Sequence, residues 1–306
     1  MKRMKWTTEN IPDMTGKVCI VTGANTGLGY EVTLQLATKG AEIVMAVRSL
    51  ERGQAAIARI EKAVPNAKIS IIKLDLSSLD SIKEATEEIR TMHKKVDIIV
   101  NNAGVISKPK QTTRDGFEMN FGVNHLGHFA FTLLLLDIIV ATPNSRIVTV
   151  SSITHRKAKP ALLLNDLDCK GLGTMQLYRR SKFANLLFAY ELQRRLQGTN
   201  TISVAAHPGI AQSEIVRGFP KIVQKLANLY MQRTSVGALP ILRAATDPAI
   251  LGGQYWGPRG RKEHRGHPTI VTSSDATYDI GLQKLLWLTS EELTNVKLDP
   301  QAIRDE

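Results

Sequence analysis

Tyr178 and Lys182 stand four residues apart in LYRRSKFANLLFAYEL, a stretch apolar enough to form a packed helix. Residues at that spacing share one helical face. A free phenol titrates near ~10 and is a poor base at neutral pH, but a neighbouring ammonium favours the phenolate. Such a tyrosine can give a proton to, or take one from, an oxygen at a reacting centre. Upstream, Arg146–Ser151 (RIVTVS) reads as a buried strand with Ser152 directly after it. Neighbours on a strand point to opposite faces, so only one of the two serine hydroxyls can meet a substrate oxygen and stabilise charge there. Asn124, in NHLGHF, is a polar residue within the long apolar stretch expected as a helix.

A second set of residues suits phosphate. TGANTGLG carries Gly23, Asn25, Thr26, Gly27, Leu28 and Gly29. Glycines reach backbone conformations closed to other residues and let a pyrophosphate approach both the backbone and a helix N-terminus. The turn follows an apolar run and opens a helical pattern, the context that gives it meaning. The next apolar run, AEIVMAV, ends at Arg48 with no acid. A carboxylate there would accept from a ribose 2′-hydroxyl and repel a 2′-phosphate. Arg48 can stack on adenine and pair with phosphate, with Arg52 and Lys73 in support, so NADP(H) is expected rather than NAD(H).

The elements that position these residues alternate in type. Strands are expected at Lys17–Thr22, Ala41–Val47, Lys68–Leu74, Val96–Val100, Arg146–Ser151 and Thr201–Ala206. Helices are expected at Leu28–Thr38, Arg52–Ala63, Leu79–His93, about Phe117–Ile139 and Gln176–Leu196. Short apolar strands separated by helices imply a parallel sheet covered on both faces, hence a single three-layer α/β/α domain with a doubly wound (Rossmann) sheet. Thr154–Thr174 interrupts the alternation as a loop-rich insertion. Gly252–Pro268 (GGQYWGPRGRKEHRGHP), rich in Gly, Pro and basic residues, begins a C-terminal extension and reads as a solvated surface loop.

The spacing G-x-x-x-G-x-G resembles the short-chain dehydrogenase/reductase family, and the likeness recurs in order from about Thr15 to Ser213. Asp75–Leu76 follows the third strand, Asn101–Gly104 (NNAG) the fourth, Ser151–Ser152 the fifth and Pro208–Gly209 the sixth; Tyr178 and Lys182 form Y-x-x-x-K. The resemblance implies that Asp75 and Leu76 contact adenine, and that Asn102, Ala103, Gly104, Pro208, Gly209 and Ser213 border the cofactor. It implies Ser152, not Ser151, as the serine that polarises the substrate. It gives Tyr178 the acid/base role and Lys182 a second role on the nicotinamide ribose, and has Asn124 hold a water in the proton relay. Residues 209–233 then form a lid, whose apolar side chains suit a hydrophobic carbonyl or alcohol substrate and ordinary packing equally. The separation of Ser152 and Tyr178 and the sequence SKFANLLFAYEL look like the branch of retinol dehydrogenases, WW-domain oxidoreductases and protochlorophyllide reductases. The last of these carry a cysteine where this chain has Ala184. The activity implied is NADP(H)-dependent oxidoreduction, against which stands a non-catalytic NADP(H)-binding scaffold or redox sensor.

Composition narrows the field further. Lys plus Arg is 40 and Asp plus Glu 28, a formal charge of +12, which attracts anions. Aromatics are only 5% and no basic stretch is interleaved with them, so nucleic acid is not an expected partner. Cys19 and Cys169 lack metal-ligand spacing and read as reduced thiols of a cytoplasmic protein. His125, His128 and His155 have no third ligand at a standard spacing, so no metal is expected. The N-terminus is basic without the apolar region of a secretory signal. The most apolar run, Phe129–Ala141, is shorter than the ~20 residues of a membrane span. The helices around 117–139 and 176–196 suit either pairing across a homodimer axis or cover within a monomer.

Overall fold

The computed structural model describes residues 5–109, 111–160, 171–211 and 232–303. Eight strands form one sheet in the order β3-β2-β1-β4-β5-β6-β7-β8. These are β1 (Val18–Thr22), β2 (Glu42–Val47), β3 (Ile69–Lys73), β4 (Ile98–Asn101), β5 (Arg146–Val150), β6 (Ile202–Ala206), β7 (Tyr255–Pro258) and β8 (Pro268–Ile270). The first seven run parallel and β8 pairs antiparallel with β7. Strand order reverses between β1 and β4, the switch point outside whose carboxyl ends a crevice opens.

Alternation along β1 sets the layers. Cys19 and Val21 go to one core with α1 (Gly27–Thr38) and α2 (Leu50–Ala63). Val18 and Ile20 go to the opposite core with α3 (Leu79–Met92). Helix α2 buries Gly53, Ala56, Ile57 and Ile60, and α3 buries Ile82, Ala85, Thr86 and Ile89. Both are i, i+3, i+4, i+7 stripes, so burial of one face fixes each helix against the sheet. Each starts at a serine cap: Ser49 Oγ accepts from the Arg52 amide and Ser78 Oγ from the Ser81 amide.

The long helix expected over about 117–139 is broken. α4 (Met119–Phe121) leads through a π turn (Gly122–Leu126) into α5 (Gly127–Leu134), and α6 (Leu136–Val140) follows a kink at Leu135. The π turn sits between Gly122 and Gly127, where a Cβ would come within 2.4 Å of Thr113 Cγ2 and 2.6 Å of the Leu76 carbonyl oxygen. Close backbone approach at both ends holds the extra residue of the bulge, and Asn124 lies inside it.

Gly252–Pro268 is a solvated loop only in part: Arg259, Arg261, Lys262, His264 and Arg265 are exposed, but the residues before them form a strand. All four residues of β7 are buried, and the segment turns back through Arg261–Glu263 into β8. Gly257 lies where a Cβ would meet the His207 ring at 2.1 Å, so the strand needs that glycine for close packing. After α7 (Thr174–Arg195) come α8 (Thr234–Gly237), α9 (Leu239–Thr246) and α10 (Ile280–Thr294). Leu286 of α10 packs with Phe183, Ala184 and Leu187 of α7, and Trp287 lies among Phe129 and Phe188. The apolar face of α7 is therefore covered within the chain itself.

Candidate active site

A cleft of about 670 Å³ opens at the carboxyl ends of the strands, a size usual for small-molecule sites. One end is walled by Gly23, Asn25, Thr26, Gly27, Leu28, Arg48, Asp75 and Leu76. The other is walled by Asn102, Ala103, Gly104, Tyr178, Lys182 and Pro208. Gly23 and Gly27 have φ of 64° and 57°, left-handed values that a glycine takes without strain. Gly29 serves a different need. A Cβ on it would lie 2.4 Å from the Gly23 carbonyl oxygen and 2.5 Å from Asn102 Nδ2, so it allows the turn to close on the loop after β4. Asp75 Oδ1 accepts from the amide and hydroxyl of Ser77 at 3.0 and 2.7 Å, which holds the loop after β3.

The chemical end is built by β5 and α7. Ser151 is buried and its hydroxyl donates to the Lys182 carbonyl at 2.7 Å, so it joins strand to helix. Ser152 caps the turn Ile153–Lys157, accepting from the amide and hydroxyl of Thr154 at 3.3 and 3.0 Å. Its hydroxyl also stands close enough to the Tyr178 phenol to act on its titration. Burial pushes that phenol up to about 12, and the Ser152 hydroxyl works against the rise. Lys182 Nζ lies 5.9 Å from the Tyr178 ring centre and donates to the Val150 carbonyl at 2.9 Å. Burial pushes this lysine down to about 8. The depression of the phenol expected from the ammonium is not found: burial sets the direction, and only the Ser152 hydroxyl works against it.

Asn124 is fully buried behind the cleft wall. Its Oδ1 accepts from the Val105 amide at 2.7 Å, and its Nδ2 donates to the Val105 carbonyl at 3.0 Å and to Ser181 Oγ at 2.9 Å. The side chain therefore clamps the loop after β4 to α7, and a Cβ on Gly104 would stand 3.3 Å from Asn124 Oδ1 and 3.4 Å from Lys182 Nζ.

Ser213, and the expected lid beyond Ala211, lie outside the described residues, as does Cys169. Gly209 stands just behind Pro208 with φ +69°, where a Cβ would meet the His264 carbonyl oxygen at 2.5 Å. Arg52 borders the cleft beside Arg48, whereas Lys73 is exposed and does not. Sequence reasoning passed over Ser49, Val105, Ile106, Lys108, Val123, Thr174 and Met175, which also border the cleft. The only signal for them is their place near motif residues. It also passed over the role of His128, described below.

The three histidines weighed as a metal set go to separate partners. His125 faces Ser290, His128 bridges Thr22 and Asn124, and His155 holds the Ser152 carbonyl. Among the described residues no three His, Cys, Asp or Glu side chains gather as a ligand set. Among them, too, no helix is long and apolar enough to cross a membrane.

The chain can be set beside known proteins. It is 41% identical over 246 residues to mouse retinol dehydrogenase 12, covering 79% of this chain and 77% of that protein. It is 45% identical over 204 residues to human retinol dehydrogenase 13, covering 66% of this chain and 61% of that one. The crystal structure of an uncharacterised protein from Mycobacterium paratuberculosis superposes with a TM-score of 0.81 at 34% identity, over 97% of this chain and all of that one. A Shigella flexneri short chain dehydrogenase complexed with NADP shares the fold at 19% identity, TM-score 0.65, over 79% of this chain and 97% of its own. The family model for short chain dehydrogenases matches residues 17–221. Strand order, glycine turn and tyrosine–lysine helix agree with that match, and the chain belongs to the short-chain dehydrogenase family of oxidoreductases.

Proposed function

We propose that this chain is an NADP(H)-dependent oxidoreductase that interconverts a hydrophobic carbonyl compound and its alcohol. The observation that carries the reading is a single cleft joining the glycine turn and Arg48 at one end to Tyr178, with Ser152 beside it, at the other. The residues present fit a nicotinamide dinucleotide. Gly23 and Gly27 leave room for a pyrophosphate at the N-terminus of α1, and Asp75–Leu76 walls the adenine end. Arg48 and Arg52 together supply cationic forks for a 2′-phosphate, and no carboxylate ends β2 to repel it. A bound nicotinamide supplies or accepts the hydride.

The protein moves the proton. With its phenol pushed up to about 12, Tyr178 is protonated at neutral pH and set to donate from Oη to a carbonyl oxygen. The Ser152 hydroxyl shares that oxygen and stabilises the charge that builds on it. Lys182, held by Val150 and screened from water, keeps its ammonium beside Gly104, where it meets the ribose and supports the tyrosinate formed after transfer. Asn124 holds the Val105 backbone and Ser181 in place around it. Val105, Ile106, Val123 and Met175 give the substrate end an apolar wall, and the names of the mammalian relatives make retinal a sensible panel member.

The test is NADPH consumption against aldehydes, bulky ketones, steroids and retinal, with Tyr178→Phe alongside. Turnover by the native chain and a loss of at least ~10³-fold in Tyr178→Phe, with NADPH still bound, is the expected result. Full activity in Tyr178→Phe refutes the assignment.

A further inference from the structure

The β7–β8 hairpin carries a turn that nothing in the chemistry so far uses. Lys262 and Glu263 have φ of 53° and 57°, two successive non-glycine residues in the left-handed region. Such backbone persists only where its surroundings over-determine it. What surrounds it is the rear of the cleft. Glu263 Oε2 accepts from His207 Nε2 at 3.1 Å, and Oε1 accepts from Arg156 at 2.8 Å. His207 is fully buried and its Nδ1 accepts from the Gly209 amide at 3.2 Å, which leaves its proton on Nε2, facing the carboxylate. The next amide, Ile210, donates to the His264 carbonyl at 2.8 Å. Arg156 belongs to the turn that follows Ser152, and it also donates to the Thr272 carbonyl. In the same turn His155 Nδ1 donates to the Ser152 carbonyl at 2.7 Å, while its Nε2 accepts from the Ser274 amide at 3.2 Å.

We propose that Glu263 is a positioning residue: its carboxylate ties the turn that carries Ser152 to the turn that carries Pro208 and Gly209, and so fixes the two cleft walls relative to each other. The inference rests on the oxidoreductase reading for its effect on turnover, but not for the tie itself. Gln232 extends the brace. Its Nε2 donates to the Pro208 carbonyl and its Oε1 accepts from the Gly266 amide, so Gln232 joins Pro208 to the same hairpin. The carboxylate is needed as such. A glutamine offers one acceptor and one donor, whereas His207 and Arg156 both present donors. Whichever way the amide turns, one arm of the brace faces donor to donor.

The full chain is compared with Glu263→Gln and Glu263→Gly. The glycine variant relieves the left-handed backbone while removing the carboxylate, so it separates positioning from folding. Hydrogen exchange at the Gly209 and Ile210 amides, NADPH binding by fluorescence, and kcat and KM with a panel ketone are read together. Both variants should exchange those amides at least about tenfold faster. Both should lose about tenfold in kcat, with NADPH affinity within about threefold, and the glycine variant should keep the native Tm. Unchanged exchange at both amides overturns the proposal. So does a glycine variant with native kcat, which would make the backbone and not the carboxylate responsible. If the native chain reduces no panel compound, the oxidoreductase reading fails while the exchange measurement still decides the tie.

Discussion

His128 Nδ1 lies 3.1 Å from the carbonyl oxygen of Asn124, inside the π turn. A carbonyl only accepts, so the ring proton sits on Nδ1 and Nε2 accepts from the Thr22 hydroxyl at 2.9 Å. That hydroxyl in turn accepts from the amides of Asn102 and Ala103, both at 2.9 Å. One neutral imidazole thus links the end of β1, the loop after β4 and the turn that holds Asn124. His128→Phe fills the space but leaves two buried polar groups short of a partner. It should lower unfolding free energy by about 2–4 kcal/mol in urea denaturation. Native stability in this variant would show that the link carries no weight.

Acid should unfold this chain through its buried histidines. Burial pushes His125 down to about 3 and both His128 and His155 to about 4, from an ordinary 6.5. Between those values the unfolded chain binds protons that the fold refuses, so their stability contribution is complete above about pH 6.5 and drains as pH falls towards 4. Each histidine accounts for about 1–3 kcal/mol over that window. Denaturation midpoints measured from pH 7.5 to 4.5 should fall steadily, and the slope should lessen in His128→Gln. A flat profile would contradict the burial of neutral rings.

Arg48→Ala should raise KM for NADPH by about ten- to a hundredfold and leave KM for NADH nearly unchanged, because the fork acts on a phosphate that NADH lacks. Steady-state kinetics with both cofactors measure this. Equal losses for the two would place Arg48 on the shared adenosine instead.

Gly29→Ala adds one methyl against the Gly23 carbonyl and Asn102 Nδ2. Asn102 Nδ2 already donates to the Thr22 carbonyl at 2.9 Å, so neither neighbour can yield freely. Overpacking of this kind costs about 1–3 kcal/mol, and the distorted turn should also weaken NADPH binding. A thermal melt with and without NADPH reads both effects; an unchanged melt and affinity would mean that the turn adapts.

Legibility followed the locality of each signal. The apolar runs of β1, β2 and β4 to β6 announce themselves because both faces of those strands are largely buried, and the glycine turn and the tyrosine–lysine pair are each set within one element. The π turn was hidden because its cause is distant: Gly122 and Gly127 approach Thr113 and Leu76, and a helical period cannot show that. β7 was hidden because Gly257 and Pro258 break a strand pattern, and the His207 ring that requires the glycine lies on another loop. His128 was weighed as a metal ligand, since spacing alone says nothing of the threonine it reaches at the end of β1. The cover of α7 by Leu286 and Trp287 also depends on a pairing far apart in the chain.

The order of the sheet has a consequence for the chain as it is made. β6 waits beside β5 with its outer edge open until β7, which lies beyond α9, has left the ribosome. At about 5–20 residues per second that interval lasts several seconds. During it the glycine turn, Ser152 and Tyr178 already exist, while Glu263 and its hairpin do not. A nascent chain at this stage has its reactive side chains but an unpaired edge strand, the form most exposed to mispairing. Completion of the hairpin closes that edge and braces the cleft in a single event.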